Sequence, residues 1–290
     1  MSMYKQKEFN PQELRCFQEL QRLAYQCVQE VAETLQQGDT ENQAVERMTL
    51  WMEKRGITEF FHKPYAWFGE RTAFDGFWIP AQFFPTNRKL FKGMPVILDI
   101  APFSDGYISD IGYSFMFGED TAEHQQMRKD LLDYRELILE SVLAEKTFRT
   151  IYQEVDAMIA DHGYQRIHSR YPFRVLAHRV AKVKRTWKSK YTLGRFGIDG
   201  LLYLANQTKF SQFLSGTDPN APVWNDRVES DHKPLAGLWA VEPHIGWNGI
   251  GVKWEELLVI TDSDAYWLDD QVPHVMEAKQ KGWLTHQAVA

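Results

Sequence analysis

The sequence predicts an α+β protein in which a helix–helix–strand unit is used twice. Three observations carry that expectation: helical periodicity in two separate pairs of segments, a glycine closing each pair before an extended stretch, and apolar runs of strand length in much of the remainder. In the first pair, Asn10 and Pro11 supply an N-cap and a first-turn proline. Leu14, Phe17, Leu20, Leu23, Ala24, Val28, Val31 and Leu35 then recur at helical spacing until Gly38. Asp39 and Thr40 cap a second helix with Val45, Met48, Trp51 and Met52 on its inner face. Gly56 closes it, and an extended stretch begins at Ile57.

The same order returns further on. Residues 122–143 read as a long helix with Met127, Leu131, Leu132, Tyr134, Leu137 and Leu143 as apolar positions. Thr147 opens a second helix through Ile151, Val155, Met158 and Ile159, and Gly163 ends it before another extended stretch. The two copies share their order of elements, not their residues, and this fits either an internal duplication or ordinary alternation. Strands are expected at 95–101, 108–117, 238–243, 252–261 and 265–268.

Composition narrows the function. The 290 residues are 44% hydrophobic, enough for a large core in one domain or two small ones. The net charge of -6 and pI of about 5.9 give no footprint for nucleic acid or an anionic membrane. Ten tryptophans within a 14% aromatic share suit cores, apolar pockets and interfaces. Cys16 and Cys27 fall on one expected helix, roughly 16 Å apart along its axis, too far for a disulfide. No secretory h-region and no membrane-length apolar run is present, so the expected setting is cytoplasmic.

Residues 182–232 have a poor pattern. Lys182, Lys184, Arg185, Lys188, Lys190 and Arg195 are interleaved there with Trp187, Tyr191 and Phe196. This reads as an insertion with a solvated basic face, or as a lid that touches an anionic substrate.

The chemistry is carried by acids inside apolar runs. Asp99 sits within PVILDIAP, and a carboxylate there is costly unless compensated. Asp110 follows the turn Ser104-Asp105-Gly106, and a tight hairpin at that turn brings the two acids face to face. Glu242 interrupts LWAVEP, and Glu255 interrupts VKWEELLVI. Four such acids on neighbouring strands call for hard divalent cations with oxygen ligands, two of which would neutralise the four negative charges.

These segments resemble the pita-bread metallopeptidase family, which contains methionine aminopeptidases, prolidases, aminopeptidase P and creatinase. The resemblance rests on GMPVILDIAPFSDGYISDIGYSF, with both aspartates at the family spacing, on GLWAVEPHIG, on WEELLVIT, and on QGDTENQAV near the start. It covers nearly the whole chain. It implies a pita-bread fold: a duplicated αβ unit with a curved antiparallel sheet and outer helices, here as a single catalytic domain over 1–290 without the N-terminal domain of prolidase and creatinase. It also implies a dinuclear metal site of Asp99, Asp110, Glu242 and Glu255, with His178 of LAHRVA in the place of the family's histidine ligand. Mn²⁺, Fe²⁺ or Co²⁺ suits that set, and Zn²⁺ is a further option.

The chain departs from the family where substrate histidines are expected. Gln82 or Phe83 of IPAQFFPTNRKL stands at the first position and VKRT covers the second. An imidazole that moves a proton is worth ~10²–10⁴ in rate, so weak action on Met-Xaa and Xaa-Pro peptides is expected. His244, two residues beyond Glu242, is the candidate substitute if both share a strand face. Trp67, Phe77, Trp78, Gln82 and Phe83 are expected at the substrate pocket, with Phe68, Phe74 and Phe84 in the same aromatic run. The expected activity is hydrolysis of an amide-type C–N bond in a small molecule or short peptide. The alternatives are other metal chemistry on the same fold, creatinase-like or iron-dependent redox, and a binding protein without catalysis. A homodimer is the assembly to test.

Overall fold

The computed structural model describes residues 9–182, 192–193, 195–197 and 223–284. The expected insertion or lid at about 182–232 lies largely outside them, including Lys184, Arg185, Trp187, Lys188, Lys190 and Tyr191. Helix α1 (Pro11–Thr34) starts at Asn10, whose side chain accepts from the backbone of Gln12 and Glu13 in a capping box. Helix α2 (Glu41–Glu53) starts at Thr40, boxed with Gln43. Strand β1 (Glu59–Phe68) follows, then β2 (Met94–Ser104), β3 (Tyr107–Ile108) and β4 (Ile111–Phe117). The second unit opens with α3 (Ala122–Leu143) and α4 (Phe148–Asp161). Short strands β5 (Gln165–Arg166), β6 (Ala177–Val180), β7 (Thr192–Leu193), β8 (Phe196–Gly197) and β9 (Val223–Trp224) come next. The chain continues with β10 (Gly237–Val241), β11 (His244–Trp247), β12 (Ile250–Lys253), β13 (Glu256–Ile260), β14 (Ala265–Trp267) and helix α5 (Pro273–Lys281).

Each helix pair packs on its own sheet. α1 and α2 bury Ala24, Val28, Met48 and Met52 against β1 and β2. α3 and α4 bury Leu131, Tyr134, Ile151 and Val155 against β6, β10 and β13. Phe148 stacks on Trp224 at 4.2 Å and meets Trp239 edge-on, so much of the tryptophan content is core. One large sheet runs β3-β2-β1-β8-β7 with β4 also on β2, the other large sheet runs β14-β13-β10-β6-β9, and a small third sheet runs β12-β11-β5. All pairings among the described residues are antiparallel. An isolated bridge between Gly112 and Glu255 joins the two large sheets. This is the duplicated helix–sheet arrangement that the repeated order of elements predicts.

Two expected strands are broken in the structure. The run 108–117 stops at Ser109-Asp110, and the run 252–261 stops at Trp254-Glu255, where the chain leaves the β11–β12 hairpin for the larger sheet. Asp110 and Glu255 therefore occupy strand breaks, Glu242 lies one residue past β10, and only Asp99 is a strand interior. Hydrophobicity continues across each break, which is why sequence pattern does not reveal it.

The 25 residues from Gly69 to Gly93, between β1 and β2, form a loop with two 3-10 turns. Glu41 anchors it with its fully buried carboxylate, which accepts from Phe68 N, Arg71 Nε, Thr86 N and Thr86 Oγ1. Gly251 of β12 lies against its first turn so closely that a Cβ would come within 2.0 Å of the Thr72 carbonyl oxygen. Among the described residues no helix is long and apolar enough to cross a membrane. Both cysteines are free thiols, as their separation on α1 requires.

Candidate metal centre

Strand register puts the ligand candidates on one face. Asp99 pairs with Gly112, and Ala101 falls opposite Asp110 when the same register is continued. Since i and i+2 share a strand face, Asp99, Ala101 and Asp110 all look the same way. In the second sheet Ala240 pairs with His178 and with Leu257, and Glu242 and Glu255 lie two residues from Ala240 and Leu257. The five residues expected as ligands thus converge where the two sheets meet, each nearly or fully buried.

Two residues that the sequence reading did not single out join them. His62 of β1 pairs with Ala101, and its Nε2 lies 3.1 Å from Asp110 Oδ1 and 3.5 Å from Asp99 Oδ1. Lys253 donates from Nζ to Asp99 Oδ2 (2.8 Å), Glu242 Oε2 (2.9 Å) and Glu255 Oε2 (2.9 Å). Its stem fills the slot that Gly112 leaves: a Cβ there would be 2.5 Å from Lys253 Cε. Ser114 Oγ accepts from Lys253 N and donates to Lys253 O, which pins the base of that side chain. Both residues had a local signal, a histidine in the aromatic strand FFHKPY and a lysine two residues before Glu255.

His178 Nε2 lies 3.3 Å from Asp110 Oδ2 and 3.7 Å from Glu255 Oε1. Two groups therefore have atoms close enough to enclose an ion: His62, Asp99 and Asp110, and Asp110, His178 and Glu255, the candidate atoms of each lying within 4.8 Å of one another. Asp99 Oδ1 is buried and has no hydrogen-bond partner among the described residues. Such an oxygen is costly without a cation. The donor set fits a divalent metal.

Burial opposes charge on His62, but Asp110 and Asp99 outweigh it and lift the imidazole to about 9. His178 is likewise raised by Asp110 and Glu255 against its burial. Burial lifts Glu242 to about 8, with Glu255 adding and Lys253 opposing. Burial lifts Asp99 to about 6 despite Lys253 and His62. For Asp110 burial is overcome by the two histidines, and its pKa is lowered.

His62, Glu242 and Asp99 thus bind protons more tightly folded than unfolded. Each contributes stability that is full below its unfolded pKa and is lost as pH rises through the folded value. The metal-free protein is expected to lose stability as pH rises from the ordinary 6.5 of His62 to its folded value of about 9, with Glu242 at about 8 acting in the same sense. Urea midpoints in chelator should fall over that interval, and excess Mn²⁺ should reverse the trend because ligands bind deprotonated. Midpoints that rise in chelator contradict this account.

An apolar cavity of about 160 Å³ opens onto the cluster. Trp67 and Phe83 line it, together with Tyr65, Phe84 and Tyr171. Phe77, Trp78 and Gln82, expected there, do not. Phe77 stacks on Phe74 behind the wall, and Trp78 is 87% exposed. The Gln82 side chain accepts from Trp78 N and Ile79 N and donates to Gly76 O, closing the loop's own turn. His244 also lies off the cavity. Pro243 separates β10 from β11, which belong to different sheets, so Glu242 and His244 share no strand face. Its Nε2 donates to the Thr72 carbonyl (2.8 Å), and its Nδ1 accepts from the Tyr171 hydroxyl (3.1 Å). From the basic segment, Lys182 pairs with Glu13, and the Arg195 guanidinium lies 4.8 Å over the Tyr65 ring.

The fold is the pita-bread arrangement, with a carboxylate–histidine cluster of metal-ligating residue types where its two large sheets meet. The sequence model for metallopeptidase family M24 matches residues 15–194, and the chain belongs to that family. It is 26% identical over 155 residues to an uncharacterized peptidase of Staphylococcus haemolyticus, covering 53% of this chain and 42% of that protein. An X-Pro aminopeptidase from Thermotoga maritima superposes with a TM-score of 0.65 at 15% identity, covering 90% of this chain and 62% of that one. A prolidase from Pyrococcus furiosus gives 0.64 at 16%, covering 90% and 64%. The chain therefore spans about two-fifths of the curated relative and under two-thirds of these two structures.

Proposed function

We propose that this protein is a metal-dependent hydrolase that cleaves an amide-type C–N bond in a small, largely apolar, peptide-like substrate. One observation carries the reading: the ligand atoms of both halves converge at the base of an aromatic-walled cavity. Divalent ions held there, two of them on the family pattern and Mn²⁺, Fe²⁺ or Co²⁺ by donor type, supply Lewis-acid polarisation of a carbonyl and lower the pKa of a water. Asp110 would be the ligand common to both ions, since its two oxygens face the two histidines. Asp99, Glu242, Glu255 and His178 complete the family set. The aromatic wall excludes water and selects apolar groups. Tyr171, held by His244, fixes one side of the entry.

A second reading, non-peptidase metal chemistry on the same fold, is favoured by one feature of the cavity. Its two histidines among the described residues both face Asp110, and neither stands apart from the carboxylates to give the leaving amine a proton. The deciding measurement is steady-state release of amine by Mn²⁺- and Co²⁺-loaded protein. Met-Xaa and Xaa-Pro dipeptides are set against small N-acyl and aryl amides. Metal-dependent turnover is expected on the apolar amides, with the dipeptides at least tenfold poorer in kcat/KM. Loaded protein that hydrolyses none of them favours the second reading. Efficient dipeptide cleavage, with kcat of ~1–10³ s⁻¹, makes it an ordinary peptidase.

A further inference from the structure

We infer that His62 is a sixth metal ligand, so that the centre is built from four carboxylates and two histidines, with one histidine for each of two ions. The inference rests on the metal-binding reading above and concerns a residue to which neither the family ligand set nor the sequence pattern assigns a role.

The two histidines occupy matching places in the two halves. His62 on β1 pairs with Ala101 of the central strand β2, and His178 on β6 pairs with Ala240 of the central strand β10. In each case alanine is the small residue that leaves room for an imidazole to lean over the strand toward the acids. The ring orientation matches too. His62 Nδ1 lies 3.1 Å from the carbonyl of Lys63, and His178 Nδ1 lies 3.4 Å from the carbonyl of Arg179, in both cases the next residue. A proton on Nδ1 donated to that carbonyl turns the Nε2 lone pair toward the acids, which is how ligating histidines are commonly held. Each Nε2 then faces a different oxygen of Asp110, His62 toward Oδ1 and His178 toward Oδ2. An aspartate bridging two ions would present its oxygens in this way.

The carboxylates divide their oxygens along the same line. Lys253 takes Asp99 Oδ2, Glu242 Oε2 and Glu255 Oε2 from one side. That leaves Asp99 Oδ1 toward His62 and Glu255 Oε1 toward His178. Asp99 Oδ1, buried and without a hydrogen bond among the described residues, thus lies on the side of the group that His62 completes. Lys253 and the two histidines therefore use different oxygens of Asp99 and Glu255. A set of four carboxylates and two imidazoles is also the one used by di-iron and di-manganese carboxylate proteins on other folds, and it suits Fe²⁺ or Mn²⁺ by donor hardness.

The test is paramagnetic NMR of the full chain loaded with Co²⁺, together with metal titration of His62→Ala and His62→Gln. In the wild type two exchangeable imidazole N–H resonances should move far outside the normal range, one from each ligating ring, and should collapse to one in His62→Gln. Titration should show that either substitution weakens one of the two Co²⁺ sites at least tenfold and leaves the other within about twofold. A single shifted imidazole in the wild type, with Co²⁺ bound, overturns the role of His62 and leaves the metal centre standing. Protein that takes up no Co²⁺ overturns the centre itself. The wild-type spectrum needs no variant, so it decides the question even where the substitutions do not fold.

Discussion

Replacing Lys253 with methionine should destabilise the metal-free protein by about 3–5 kcal/mol, the usual cost of removing one partner from a buried charge network. The side chain is fully buried and its ammonium touches three carboxylates. Methionine keeps most of the stem that packs on Gly112, so packing loss is small and the effect reports charge. Without the ammonium, Asp99, Glu242 and Glu255 are left facing one another, and burial already raises Asp99 and Glu242. Urea unfolding at neutral pH in chelator measures the loss. Excess Mn²⁺ should restore part of it, because ions supply replacement positive charge. A variant as stable as the wild type in chelator would show that the lysine is incidental.

Asp110→Asn should lower metal-free stability as well, because His62 and His178 lose the buried carboxylate that holds their charge, and it should abolish metal-dependent stabilisation. Asp110 is the residue common to both candidate groups, so removing its charge weakens both at once. Metal at 100 times its Kd should raise wild-type stability by ~2.7 kcal/mol for each ion bound, read as a rise in Tm. The variant should show no rise at the same concentration, and no retained metal after gel filtration. A wild-type-sized shift in the variant would move the centre away from Asp110.

Much of this architecture is legible in the residues. Caps such as Asn10 and Thr40 act within a few residues of themselves, and the structure places both as the sequence predicts. The pairing of Asp99 and Asp110 across a Ser-Asp-Gly turn is also local, and Asp105 and Gly106 do adopt the positive φ such a turn needs. What could not be read depends on strand register between distant segments. His62 acquires its place only because β1 pairs with β2 at Ala101, after a loop running from Gly69 to Gly93. Lys253 looks like an ordinary strand charge until the chain breaks at Trp254 and turns its side chain inward with Glu255. The same loop misleads in the other direction. Its aromatic run reads as one pocket wall, yet Trp67 and Phe83 face the cavity while Phe77 packs behind it and Trp78 faces solvent.

The Gly112–Glu255 bridge makes main-chain contact between the two sheets at the point where the ligands meet. Neither half carries a full complement: Asp99, Asp110 and His62 come from one, His178, Glu242 and Glu255 from the other. An ion held by Asp110, His178 and Glu255 would act as a clasp across a seam. Loading then couples to how tightly the two halves are drawn together, and amides of β4 and β13 beside the seam should exchange with solvent more slowly in the clasped protein. The spacing of the donor atoms is set by relative placement of two packed bodies, so a substitution deep in either helix layer can detune the centre without touching it.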